Sequence, residues 1–391
     1  MKRYLYYSSL LSVFTEAFVI RSTIDIKLFY FVALINLLIL TAMRSIYISQ
    51  KLILFYIFLI LSGLISIALG TNTPRLFLSQ FFGITMISLF FYNFFTLFKD
   101  KVPKIFKDYT TISYYLAIIG ILMFVYYLFK GIIAPVKSLL LEPAHYVTIV
   151  LPAFFYSIRN KEFPRHIWKI ILVSIVLSGS SLGILGVALS ILLIPNRIRL
   201  LRLAISFVVA ATLFVISYNN FEPLKLRVDD SVKAIEGRNL KGVNLSTFFL
   251  ASNFYVAVKS LENNPVLGSG LGSHELSHEK YIYWINGIEE FTPYLEINAS
   301  DAASYFIRIM SEFGLLGIIL LFIFLIKNYV GYSTTVTSNS PLMHLISKAV
   351  LLYFFCKLFR EGHHFPPELY FFVFAYIFSS RLALSTREVQ Q

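Results

Sequence analysis

The stretch SYFIRIMSEFGLLGIILLFIFLIK, Ser304 to Lys327, decides the fold. Between Ser304 and Ile326 it carries only two charges, Arg308 and Glu312, and an apolar helix of about 20 residues spans the hydrocarbon core of a bilayer. Comparable runs recur along the 391 residues, which are 57% hydrophobic and only 14% charged, with a mean hydropathy of +0.73. Soluble domains carry about 25% charged residues, so this chain belongs in lipid. The runs lack the alternation of barrel strands, and an open sheet cannot span lipid. The expectation is an all-α polytopic membrane protein of about twelve helices. They fall near 5–20, 28–43, 52–69, 76–97, 110–129, 144–158, 167–178, 181–195, 203–218, 303–326, 343–359 and 367–380. The seventh and eighth share one apolar stretch interrupted at LSGSSLG, which also reads as one long tilted helix.

Lys and Arg set the orientation. Assigning alternate short loops to one side collects nineteen of them there, against six on the other. The richer side reads as cytoplasmic and holds both termini. Residues 1–218 then form an N-terminal bundle of about nine helices, 219–302 one large external loop, and 303–391 about three further helices. The loop holds 11 of the 21 acids but 7 of the 34 bases. The net charge of +13 is therefore an inside-loop effect and not a nucleic-acid footprint. Tyr, Phe and Leu in the loop predict a small cap of short helices in place of disorder. The single cysteine, Cys356, excludes a disulfide framework. The basic head of MKRYLYYSSLLSVFTEAFVI lacks a clear cleavage site and reads as the start of a first membrane helix.

Two motifs stand inside the loop. His274-Glu-Leu-Ser-His278 matches HExxH, whose histidines at i and i+4 bind zinc when a third ligand follows. Its flanks, GLGS and EKYIYW, are polar loop sequence, so the reading is no metal site, with His274 as a sugar or phosphate contact. Gly268-Ser-Gly270-Leu-Gly272 would cradle phosphate within a βαβ unit, a context an external loop does not offer. It reads instead as a tight turn. Polar residues also gather at the outer boundary. These are Arg75, Glu142, His145, Asp301, Ser304, Tyr305, Arg308, Arg360, His363 and His364. Ionisable groups at membrane helices default to a functional hypothesis. Asp301, Ser304 and Arg308 share one helix face by spacing. Glu142 precedes a proline suited to a first turn, with His145 one turn on. Arginines can hold a lipid pyrophosphate, and a carboxylate or histidine can deprotonate a hydroxyl.

NNPVLGSGLGS followed by SYFIRIMSEFGLLGIILL resembles the signature of bacterial O-antigen polymerases (Wzy type) and the related O-antigen ligases. LEPAHYV, LSGSSLG and LFREGHHF resemble further segments of the polymerases, so the likeness runs from about residue 142 to the end. The ligases' His-Asn or His-Ser pair falls here on Ala303 and Ser304, and an arginine common upstream of the turn falls on Leu250. Both departures favour polymerase over ligase. The resemblance implies a glycosyltransferase of the bacterial inner membrane, working at the periplasmic face without a metal or cofactor. It would transfer a glycan from undecaprenyl pyrophosphate to the terminal sugar of a lipid-linked repeat unit, with inversion, in lipopolysaccharide biosynthesis. A chain-length-determining co-polymerase is the implied protein partner. The expected base is Glu142, Asp301 or His145. The expected pyrophosphate and sugar contacts are Arg308, Arg360, His363, Arg238, Arg75, Tyr305 and His274. The alternatives are an O-antigen ligase and a transporter of lipid-linked oligosaccharides.

Overall fold

The computed structural model describes residues 1–20, 26–193, 240–285, 287–331 and 340–388, with short stretches between 212 and 233. Among these the protein is all-α. The one exception is an antiparallel pair of two-residue strands, β1 (Val19–Ile20) and β2 (Ile26–Lys27). Helices α1 (Lys2–Ser12), α2 (Leu28–Ala42), α3 (Gln50–Ala68), α4 (Pro74–Leu97) and α5 (Val102–Phe129) come first. Then follow α6 (Pro143–Arg159), α7 (Arg165–Leu177) and α8 (Ser181–Leu193). The long loop contributes α9 (Leu245–Asn263) and α10 (His274–Tyr281). The chain closes with α11 (Tyr305–Lys327), α12 (Ser340–Phe359) and α13 (Pro367–Glu388). Five helical segments are long and apolar enough to cross a membrane: 50–68, 74–97, 99–129, 305–327 and 341–359. The expected helix at 203–218 lies for the most part outside the described residues.

Local chemistry starts these helices where they start. Ser49, Thr73, Asn244 and Ser304 each accept a hydrogen bond from a backbone N–H of the following first turn, satisfying donors that a helix end leaves open. Proline opens α4, α5 and α6, where its missing N–H costs nothing. Helix α6 is the hub, with every residue from Tyr146 to Ser157 buried against α5, α7, α8 and α12. Rings fill the space between α4, α5, α12 and α13, as where Tyr353 stacks on Phe372 at 4.1 Å and Phe95 packs on Phe371. Residues of the long loop build a separate apolar cluster in which Phe248 stacks on Phe291 at 3.9 Å.

One boundary differs from expectation, and an open one is resolved. The first helix stops at Ser12, not near residue 20, and the chain turns through 13–18. This turn carries Glu16, 1% exposed, to Lys27 and His145; a buried carboxylate needs partners, and these lie far along the chain. The LSGSSLG stretch is two helices and not one, divided at Gly179 with φ +60. Helix α7 has 13 residues, about 20 Å of rise, short of a bilayer core of about 30 Å.

Candidate functional site

The glycine string of the long loop docks into a break in α11. Gly314 has φ 59 and ψ −153 inside an otherwise helical run, a backbone region open essentially to glycine alone. The segment Pro265–Gly270 fills the opening with four backbone bonds. Ser269 and Gly270 donate to the Ser311 and Glu312 carbonyls at 2.9 and 2.8 Å, and Leu315 and Leu316 donate to Pro265 and Val266 at 2.9 and 3.1 Å. A Cβ on Gly268 would lie 2.5 Å from Phe313 N, and one on Gly314 would lie 2.7 Å from Gly268 N. Glycine is thus required on both sides of the contact. NNPVLGSGLG and SEFGLLG, the two segments that carry the family resemblance, meet here.

One turn before the break, Arg308 and Glu312 form a fully buried ion pair, Nε to Oε1 at 2.8 Å. The second carboxylate oxygen lies 2.6 Å from His364 Nε2, and the Glu312 backbone carbonyl accepts from the Gly270 N–H at 2.8 Å. Arg308 Nη1 donates to the Gly362 carbonyl at 3.0 Å. Burial, with Arg308 nearby, holds His364 down to about 4, against the opposing pull of Glu312.

The loop from Arg360 to His364 serves two polar networks by alternation. Glu361 turns one way, and Gly362, His363 and His364 face the Arg308 side. The Glu361 N–H donates to Ala303 O at 2.9 Å, and a Cβ on Gly362 would overlap the Asp301 carbonyl. Ala302, Ala303 and Glu361 all have positive φ, strain of the kind that concentrates at functional sites. His363 Nε2 lies 3.3 Å from Asp301 Oδ2, while Asp301 Oδ1 accepts from Ala303 N. Burial raises the Asp301 carboxyl. Partial burial and the cations Lys27, Lys357 and Arg308 hold His363 well below its ordinary value. His363 is therefore a neutral imidazole at pH 7, with a carboxyl oxygen beside its Nε2.

A polar cleft of about 70 Å³ opens between these groups, enough for several waters. Lys27, Gln80, Arg308, His363 and His364 are among its lining residues. It therefore offers two cations, from β2 and α11, and a half-exposed histidine with a buried carboxyl behind it.

The second network is buried beside it. Glu16 pairs with Lys27 at 3.3 Å and with His145 Nδ1 at 2.8 Å. His145 Nε2 lies 3.6 Å from Glu361, which pairs with Lys357 at 2.8 Å, and Lys357 faces Glu368 at 4.0 Å. Glu16, His145 and Glu361 present ligand atoms within 4.8 Å of one another, the spacing of a metal site. Lys27 and Lys357 already supply positive charge to both carboxylates, so the donor set is matched by ammonium groups.

The expected residues separate into three groups. Arg308 and His363 line the cleft, Asp301 stands 3.3 Å behind His363, and the Tyr305 ring lies edge-on to His364 at 5.5 Å. His145 lies in the buried network, its Nδ1 2.8 Å from Glu16 and its Nε2 3.6 Å from Glu361, and does not line the cleft. Glu142 is exposed at the start of α6, its backbone held extended before Pro143, and it makes no cap bond; it joins neither network. Arg75 is exposed and Arg360 half-buried, and neither makes an ion pair among the described residues. His274 is fully buried, its Nε2 2.9 Å from Asn253 Oδ1. It packs α10 on α9 and is no surface contact for a sugar. Arg238 lies outside the described residues.

Glu312, Lys27, Glu16, Lys357, Glu361 and Glu368 were not among the expected site residues. Glu312 sits four residues after Arg308 on α11, a spacing that pairs charges on a helix face, so it carried a readable signal; Glu361 lies past the end of α12 and carried none. Glu16 carried none either. Comparison of the chain with protein-family models and with curated proteins gives no match.

Proposed function

We propose that the chain is an O-antigen-type repeat-unit polymerase of the bacterial inner membrane, with about twelve crossings, both ends cytoplasmic and the cleft at the periplasmic face. One observation carries the reading. A cleft at the end of a membrane bundle combines two cations, Lys27 and Arg308, with a neutral histidine, His363, that has a carboxyl beside it. The resemblance of the two docked segments to O-antigen polymerases supports it.

In this reading Arg308 and Lys27 hold the pyrophosphate of the undecaprenyl-linked donor, charge-assisted contacts of the kind phosphates favour. His363 donates its Nε2–H to Asp301, which leaves the Nδ1 lone pair free. Nδ1 takes the proton of the acceptor sugar hydroxyl as that oxygen attacks the anomeric carbon of the donor. The bond from that carbon to the pyrophosphate oxygen breaks, and undecaprenyl pyrophosphate leaves with the electron pair. A single displacement inverts the anomeric centre. The positive charge the leaving group needs comes from the two side chains, and a chain-length-regulating partner would act outside this step.

The experiment is direct. Purified protein is given only synthetic lipid-linked repeat units, and the products are resolved by size. A ladder of polymers is expected. An O-antigen ligase would leave the repeat units single, and that outcome would sink the proposal.

A further inference from the structure

We infer that Glu312 is a positioning residue for the cleft. It fixes the Arg308 and His364 side chains on the cleft wall, and the glycine turn of the long loop holds it in place. The inference rests on the reading of the cleft as a pyrophosphate site.

The Glu312 carboxylate is completely buried and accepts two hydrogen bonds, from Arg308 Nε and His364 Nε2. Both side-chain donors line the cleft. Arg308 is a long side chain with several free torsions, and its guanidinium has five N–H groups. Glu312 and the Gly362 carbonyl engage one on Nε and one on Nη1, which sets the plane and direction of the fork. The others remain for an incoming anion. The long loop holds the Glu312 backbone, whose carbonyl accepts from the Gly270 N–H at 2.8 Å. Gly272 has φ +85, and a Cβ there would lie 2.9 Å from both Leu76 O and Gln80 Cγ. Only glycine lets the turn pack this closely on α4. The same turn is anchored across the Gly314 break by four backbone bonds. One continuous set of contacts therefore runs from the loop, through Glu312, to the cation in the cleft.

Electrostatics supplies a sign test. A buried carboxylate beside an anion site weakens anion binding by its charge alone, so its removal should tighten binding if charge is all it contributes. A positioning role predicts the reverse.

The test measures inorganic pyrophosphate binding to the purified full-length protein in detergent by calorimetry. Glu312→Gln is expected to weaken binding about tenfold, and Arg308→Lys, which keeps the charge but loses the Nε bond, by a similar factor. The double variant should lose no more than the larger single loss, because both changes break one contact. Gly272→Ala leaves both side chains intact and should weaken binding in the same direction, which keeps the question answerable if Glu312→Gln fails to fold. In parallel, the Arg308 Nε–H resonance of arginine-labelled protein should exchange slowly in the wild type and rapidly in Glu312→Gln. Equal or tighter pyrophosphate binding with the slow Arg308 signal retained would overturn the positioning role. A wild type that binds no pyrophosphate would overturn the anion reading of the cleft, and the Arg308 signal would then decide the positioning separately.

Discussion

Gly314→Ala probes the contact on which the site is built. Alanine at φ 59 and ψ −153 enters a glycine-only region at a cost of about 1–3 kcal/mol. Its Cβ would also lie 2.7 Å from both Gly268 N and Val266 O, and 2.8 Å from Pro265 O. These are backbone atoms, which cannot swing aside as a side chain can. The turn must back away, and four backbone hydrogen bonds cross that junction, each worth about 1 kcal/mol net. Losing half of them on top of the strain gives about 4 kcal/mol of local destabilisation. Hydrogen exchange at the Ser269 and Gly270 amides reads this directly, since both donate across the break. At 1.4 kcal/mol per tenfold, exchange should quicken about a thousandfold. Gly331→Ala is the control, because no atom lies within 4 Å of the Cβ it adds. Exchange in Gly314→Ala within a few-fold of wild type would refute the docking of the turn into the break.

Three further outcomes are expected. Burial holds His274 down to about 3 and His278 to about 4, so the unfolded chain takes up protons below about 6.5 that the folded protein refuses. Stability is then full above pH 6.5 and falls as the pH drops toward 4, by about 4 kcal/mol at pH 5 for the two together. A melting temperature that falls equally with pH in wild type and in a His274→Asn/His278→Asn variant would contradict this. Asp301→Asn should lower kcat roughly 100-fold with little change in KM, because the variant leaves the cations in place but loses the carboxyl that orients His363. In the wild type the acid limb should lie well below pH 6.5, since His363 must be unprotonated to act; a limb at its ordinary value would count against it as base. Glu16→Gln strands Lys27 and His145 in the interior and should cost about 3–5 kcal/mol, so an unchanged melting temperature would show that the network is not a coupled one.

Much of the fold was legible because lipid imposes a simple length rule. The expected segments at 28–43, 52–69 and 76–97 differ from α2, α3 and α4 by no more than a few residues at either end. The rule failed where a polar group overrode it. An apolar run does not reveal that α1 must end at Ser12, because the partners that draw Glu16 inward are Lys27 and His145, the latter 129 residues away. Nor does it reveal the break in α11, since Gly314 sits in a sequence that reads as continuous helix. Within the site, Asp301, Arg308 and His363 were visible as ionisable groups in membrane-boundary segments. Glu312 was visible only as half of an i, i+4 pair, and its second partner, His364, lies 52 residues on. The HExxH string misled in the opposite direction. Its spacing is that of a metal motif, yet His274 is buried with its Nε2 on Asn253, a placement set by packing of α10 on α9.

In the proposed mechanism the cleft between Lys27 and Arg308 receives the lipid pyrophosphate. An experimental map of the protein with undecaprenyl pyrophosphate bound tests it most directly. The account predicts both phosphates within hydrogen-bond reach of Arg308 and Lys27, with His363 beside the position of the sugar carbon. Phosphate density at the exposed Arg75 or at Arg360, with the cleft holding only water, would contradict it.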